Sequence, residues 1–204
     1  MRKPRITVIG GGTGIPVILK SLRDKDVDIT AIVTAADDGG SSGEIRQALQ
    51  VTPPGDLRNV LLAMSDMPKL YEQIFQYRFA ESDGALAGHP LGNLLIAGIS
   101  EMQGSTYNAM QLLTKFFHTT GKIYPSSDNP LTLHAVFTDG HEVAGESKIA
   151  GYKGMIDHVY VTNSYNDDEP TASRKVVTAI MESDMIVLGP GSLFTSILPN
   201  LMIP

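Results

Sequence analysis

The sequence predicts an α/β protein, a Rossmann-like parallel sheet flanked by helices with an added hairpin, and three strand-to-glycine junctions predict it. The first is Arg5-Ile-Thr-Val-Ile-Gly-Gly-Gly-Thr-Gly14, the second ends in Ala36-Asp37-Asp38-Gly39-Gly40-Ser41-Ser42-Gly43, and the third in Gly189-Pro190-Gly191-Ser192. Each is a short apolar run that stops abruptly in glycines before a helical pattern begins. Strands joined by crossover helices are parallel, so their glycine turns gather at one carboxyl edge, where open α/β sheets bind ligands.

In the first junction Ile6, Val8 and Ile9 are of strand type, and Ile15, Ile18, Leu19 and Leu22 follow at helical spacing. Glycines in such a turn let a ligand approach the backbone, and the helix start presents free N–H groups to a phosphate. Pro16 suits a first helical turn. Gly10, Gly11, Gly12, Thr13 and Gly14 are therefore candidate phosphate contacts. The loop is not the dinucleotide fingerprint, because Ile15 stands where its third glycine belongs. A side chain at Gly12 is expected to block the phosphate and leave folding alone.

The second strand is expected over 27–35. Asp37 and Asp38, at its carboxyl end, can bind ribose hydroxyls, hold a Mg²⁺ or act on a substrate hydroxyl. The bland alternative is that one caps the turn and the other is solvated. Gly39, Gly40 and Ser41 complete this loop, and Ser41 with Glu44 has capping-box spacing for the next helix. Asp56 reads as the N-cap of a further helix, with Arg58 and Asn59 in its first turn. A cation there opposes the helix dipole, which points to an anionic partner, either a ligand or an acidic neighbour.

Further helices are expected over 69–79, from about 91 to 103 and over 106–117. His89 and Asn93 flank the start of the second of these and can face an anion. The texture then changes to a hairpin, strands at 131–138 and 141–144 around Asp139-Gly140. His134 and His141 fall on it without ligand spacing. A strand over 156–162, a helix from about 171 to 181 and a buried-type strand at 185–188 lead into the third glycine turn. Gly189, Pro190, Gly191 and Ser192 are its candidate contacts.

Composition narrows the classes. A chain of 204 residues, 42% hydrophobic and 19% charged, can bury one sizeable core. The net charge of −6, with no Lys/Arg cluster, argues against a nucleic-acid surface. Zero Cys excludes thiolate metal sites and Cys nucleophiles and fits a reducing, cytoplasmic compartment. No stretch approaches the ~20 apolar residues of a membrane span, and no signal peptide precedes the first strand.

Taken together, Gly-Gly-Gly-Thr-Gly (10–14), Ala-Asp-Asp-Gly-Gly-Ser-Ser-Gly (36–43), Pro-Gly-Asp-Leu-Arg-Asn (54–59), Gly-His-Pro-Leu-Gly-Asn-Leu-Leu (88–95) and Leu-Gly-Pro-Gly-Ser-Leu-Phe-Thr-Ser-Ile-Leu-Pro-Asn-Leu (188–201) resemble the CofD/YvcK-like family. The motifs run from Ile6 to the last residue in the family's order, and are most similar to the YvcK branch of gluconeogenesis factors. Members of that branch are longer, so the resemblance implies one nucleotide-binding domain over 1–204 that lacks its C-terminal part. It also implies binding of UDP-sugars such as UDP-N-acetylglucosamine, and a role in growth on gluconeogenic carbon sources and in cell shape. The CofD branch transfers 2-phospho-L-lactate from a guanosine diphosphate carrier to a deazaflavin, with Mg²⁺. This sequence departs from that branch after the second strand.

Two function classes follow. One is a nucleotide-sugar sensor that passes information to a protein partner without turnover, self-association being compatible with it. The other is a phosphoryl-moiety transferase using a nucleotide diphosphate donor and Mg²⁺ held by Asp37 or Asp38. A nicotinamide oxidoreductase is weaker, since no catalytic dyad suggests itself. The sensor is favoured, with no catalytic residue assigned. Asp56, Arg58, Asn59, His89 and Asn93 are expected to converge on the half of the ligand beyond the diphosphate.

Overall fold

Four parallel strands carry the architecture in the computed structural model, which describes residues 2–204. They are β1 (Arg5–Gly10), β2 (Asp28–Val33), β3 (Gly121–Pro125) and, last in the chain, β7 (Met185–Leu188), in the order β3-β2-β1-β7. Registers such as Val8 opposite Ala31 and Val187 place the ends of β1, β2 and β7 at the same edge. The central strands are apolar on both faces because helices cover both. Helices α1 (Ile15–Arg23), α3 (Pro54–Met64), α5 (Leu91–Gln103) and α6 (Thr106–Phe116) build the larger core, which includes Val8, Leu19, Leu57, Ile96 and Met110. On the opposite face Val176 of α8 (Arg174–Met181) packs with Ile9, Ile32 and Tyr124.

A second, antiparallel sheet follows β3. Its order is β5-β4-β6, from β4 (Leu131–Phe137), β5 (Glu142–Ala144) and β6 (Ile156–Asn163). Along β4 buried and half-buried residues alternate, as a sheet with one covered face requires. The buried side packs with Ile149 of α7 (Glu146–Gly151) and with Phe194 and Leu198 near the chain end. Leu198 opens the short α9 (Leu198–Leu201).

Several boundaries differ from the sequence expectation. The strand β3 is hidden in Gly-Lys-Ile-Tyr-Pro, whose Lys and Pro mask a short edge strand. The strand β7 is not buried: Met185, Ile186 and Leu188 are exposed, because it is the other edge of its sheet. Helix α4 (Lys69–Gln76) stops before Tyr77, whose carbonyl accepts from Leu91 N–H as Arg78 bridges to Pro90. Helix α2 (Gly40–Leu49) is flanked by Gly39, so Ser41 lies inside it and forms no capping box. Asp56 is likewise not an N-cap. Pro53 flanks α3, and Asp56 sits in its first turn.

The two sheets are tied by a buried arginine. From α2, Arg46 donates to the Asp37 carbonyl at 3.2 Å, to Thr132 Oγ1 at 3.0 Å and to Ser164 Oγ at 2.7 Å. It thus joins the turn after β2 to β4 and to the end of β6. Replacing it removes the donors to all three, although Thr132 Oγ1 and Ser164 Oγ still bond each other at 3.0 Å. We expect Arg46→Met to lower the unfolding free energy by roughly 2–4 kcal/mol in urea titrations, a magnitude typical of broken buried networks. A loss below ~0.5 kcal/mol would mean that the sheets are held by apolar contact alone.

Candidate ligand cleft

The three glycine turns leave the carboxyl edge side by side and enclose a cavity of about 440 Å³. Gly11, Gly12, Thr13 and Gly14 form one wall, Asp37, Asp38 and Gly39 a second, and Pro190, Gly191 and Ser192 a third. Asp56 at the start of α3 reaches it as well. Glu146, Ser147 and Ala150 of α7 close the side toward the second sheet, and Ser196 lines it from the chain end.

Close backbone approach holds these turns together. A Cβ on Gly14 would lie 1.8 Å from the Pro190 carbonyl oxygen, and one on Gly12 would lie 2.2 Å from Asp56 Cα. The first loop is thus wedged between the third loop and α3. This corrects the expectation that a side chain at Gly12 would affect binding and leave folding alone. The space in front of Gly12 is occupied by the protein's own backbone.

Asp37 Oδ1 accepts from Gly39 N–H at 2.9 Å, a turn capped on itself. Asp38 Oδ1 accepts from Ser147 N–H at 2.8 Å, so it caps the start of α7 from across the cleft. Both still border the cavity. Ser192 Oγ accepts from Thr195 N–H and starts a π-helical turn, Leu193–Ile197.

Other candidate residues lie elsewhere. Gly10, Gly40, Asn59 and Gly189 support the loops or α3 without lining the cavity. Ser41, His89 and Asn93 meet one another: Ser41 Oγ is 2.8 Å from His89 Nδ1 and accepts from Asn93 Nδ2 at 3.1 Å. Arg58 lies near them, with its Cδ against Gly92 of α5. None of these four borders the cavity. They group with one another between α2, α3 and the start of α5, outside the cavity lining.

Electrostatically the cavity is acidic, with Asp37, Asp38, Asp56 and Glu146 and no Lys, Arg or His in its lining. Burial pushes the Asp56 carboxyl up to about 6, although the Gly12 N–H opposes the shift. Burial, reinforced by Asp37 and Asp56, pushes Glu146 up to about 8, so it keeps its proton at neutral pH. Glu146 was invisible in the sequence, where it follows a hairpin and belongs to no motif. Only the packing of α7 against the glycine turns brings it here. No three carboxylates or histidines among the described residues converge as a metal site. A Mg²⁺ needs only one or two carboxylates when phosphates supply the remaining ligands, and Asp37 or Asp56 offers suitable hard oxygens.

Two outcomes follow. Gly12→Val should destabilise the ligand-free protein by at least ~2 kcal/mol in denaturant titrations, since backbone must move to admit the side chain. For Glu146 the sign follows from proton uptake. An unfolded glutamate ionises near 4.5 and the folded one near 8, so between these values the folded state holds the extra proton. Stability therefore falls as pH rises through that window, with Asp56 adding to the lower half. Glu146→Gln should flatten this slope and, near pH 8, exceed the wild type in stability, by less than the ~4 kcal/mol that the full shift is worth there, because the residue is only half-buried. Parallel pH profiles for the two proteins would show that Glu146 ionises normally.

The comparisons with known proteins fit this geometry. The family model described as "2-phospho-L-lactate transferase CofD" matches residues 6–204. A protein of Streptococcus pyogenes, provisionally named a gluconeogenesis factor, is 81% identical over 100% of this chain and 63% of its own length. The "Gluconeogenesis factor" of Listeria monocytogenes is 50% identical over 98% of this chain and 61% of its own. A crystal structure of a UPF0052 family protein from Bacillus halodurans superposes with a TM-score of 0.94 at 46% identity, covering 100% of this chain and 64% of that one. The chain thus spans a little under two thirds of the length of these relatives. On sequence and on fold, it belongs to the CofD family, on the side of its gluconeogenesis factors.

Proposed function

We propose that the cleft binds a nucleotide diphosphate, specifically a UDP-sugar, and that the protein acts as a regulatory sensor of the gluconeogenesis factor type. The observation that carries this reading is the junction of three glycine turns and the α1 N-terminus around one cavity. Backbone N–H groups at such turns suit phosphate oxygens and need no side-chain cation. The volume is within the range of small-molecule sites. A protonated Glu146 removes one of four negative charges that would repel the diphosphate. The names of the streptococcal and listerial relatives support a role in gluconeogenic growth. A role in cell shape, a cytoplasmic location and a protein partner that receives the signal belong to the same proposal. Among the described residues no helix is long and apolar enough to cross a membrane.

The acidic lining and the description of the family model favour a second reading, a Mg²⁺-dependent transferase acting on a nucleotide diphosphate donor. Calorimetric titration with UDP-N-acetylglucosamine, with Mg²⁺ and with a chelator, tests the first reading and separates it from the second. The sensor requires saturable binding that survives the chelator, with the ligand recovered intact by phosphorus NMR. Ala150→Glu, an exposed rim residue of the cleft, should weaken binding at least ~10-fold with no change in melting temperature. No heat of binding in either condition, or equal affinity in the variant, would remove the UDP-sugar from this cleft.

A further inference from the structure

Arg58 is placed where a cation is least stable. It lies one turn into α3, and its Cδ rests on Gly92 in the first turn of α5, where a Cβ would come within 2.9 Å. The start of α5 thus meets it with the positive end of a helix dipole. The residue is only 8% exposed. Its Nη2 donates to Asn59 Oδ1 at 3.1 Å, while Nε and Nη1 are buried without any partner. No carboxylate pairs with it among the described residues. Burial disfavours its charge, Arg78 nearby adds to this, and Asp56 offsets it only in part. The side chain of Arg78 donates to the Gly88 carbonyl, in the loop that leads into α5.

The neighbouring groups are polar. Beside the start of α5, Asn93 is 2% exposed; its Nδ2 donates to Ser41 Oγ and its Oδ1 is buried without a partner. His89 joins Ser41 on one side and Glu44, at 3.2 Å, on the other. Neither α2 nor α5 has a side-chain cap of its own. A fold has no reason to bury an unpaired guanidinium against a helix N-terminus and beside a second arginine. An anion answers the unpartnered Nε and Nη1 of Arg58 and the uncapped start of α5 together, and a protonated phosphate oxygen can donate to Asn93 Oδ1.

We propose that Arg58, Arg78 and the N-terminus of α5, with Asn93 and His89, form a phosphoryl-binding subsite separate from the glycine-turn cleft. Its ligand is a small phosphorylated molecule, or the phosphoryl group of one, held by the guanidinium of Arg58. The subsite stands independently of the UDP-sugar reading, since the cleft lining contains none of these side chains. Only α3 is shared. Asp56 faces the cleft and Arg58, two residues on, faces α5. An occupied subsite would therefore bear on the same helix turn that borders the cleft.

The test is a titration of the 204-residue protein with inorganic phosphate at constant ionic strength, followed by amide NMR shifts, with chloride as control. Saturable shifts are expected at Gly92, Asn93 and Ser41, whether or not Gly12 and Gly14 also respond. Arg58→Gln should weaken the response at Gly92 and Asn93 at least 10-fold and leave any response of Gly12 and Gly14 in place. Arg78 is exposed, so Arg78→Ala tests the same charge without a buried change and should weaken it several-fold. Shifts confined to the glycine turns, shifts reproduced by chloride, or equal affinity in Arg78→Ala and Arg58→Gln would overturn the subsite.

Discussion

The contact of Gly14 with the Pro190 carbonyl, and of Gly12 with the backbone of Asp56, is the constraint from which the site takes its shape. Three turns, the last well over a hundred residues from the other two, can share one edge only if they nest at backbone distance. The parallel order β3-β2-β1-β7 brings their ends together, and the absence of side chains lets them close. The cavity is what remains between loops that already touch. Its glycines thus serve the fold first, and any ligand uses a surface that the fold had to build.

That double duty explains which parts of the chain were legible. The apolar runs before each glycine turn, the Asp-Gly hairpin and the long helices α5 and α6 show a clear period, and they appear where the pattern puts them. Short or edge elements are harder. The strand β3 carries Lys122 and Pro125 in five residues, and β7 looks buried only because Met-Ile-Val-Leu does not reveal which neighbours are missing. Caps were misread for a related reason. Ser41 and Asp56 have the spacing of N-terminal caps, yet each helix starts earlier at a Gly or Pro, which frees these side chains for tertiary roles.

The candidate site was legible as a set of loops and opaque as a set of charges. Asp37 and Asp38 stand out in sequence, but nothing local says that Asp38 will cap a helix in another sheet. Glu146 owes its raised pKa first to burial and then to carboxylates about ninety and more than a hundred positions away, so no window of sequence contains the cause. Arg58 stood out because a cation in a first turn opposes the dipole, yet α3 begins at Pro54 and puts it one turn further in. The anomaly lies in its neighbour, because the side chain meets the start of α5 in place of an acid.

Strand β7 is open along its outer side. Its outer edge offers an unpaired row of backbone donors and acceptors, flanked by the apolar side chains of Met185, Ile186 and Leu188. Such an edge is a template for another strand, and proteins usually blunt it with charge, proline or a covering segment. Here Met181 and Leu193 extend the apolar surface on either side in sequence. A further strand laid along this border would extend the sheet by main-chain hydrogen bonds and cover those side chains at the same time.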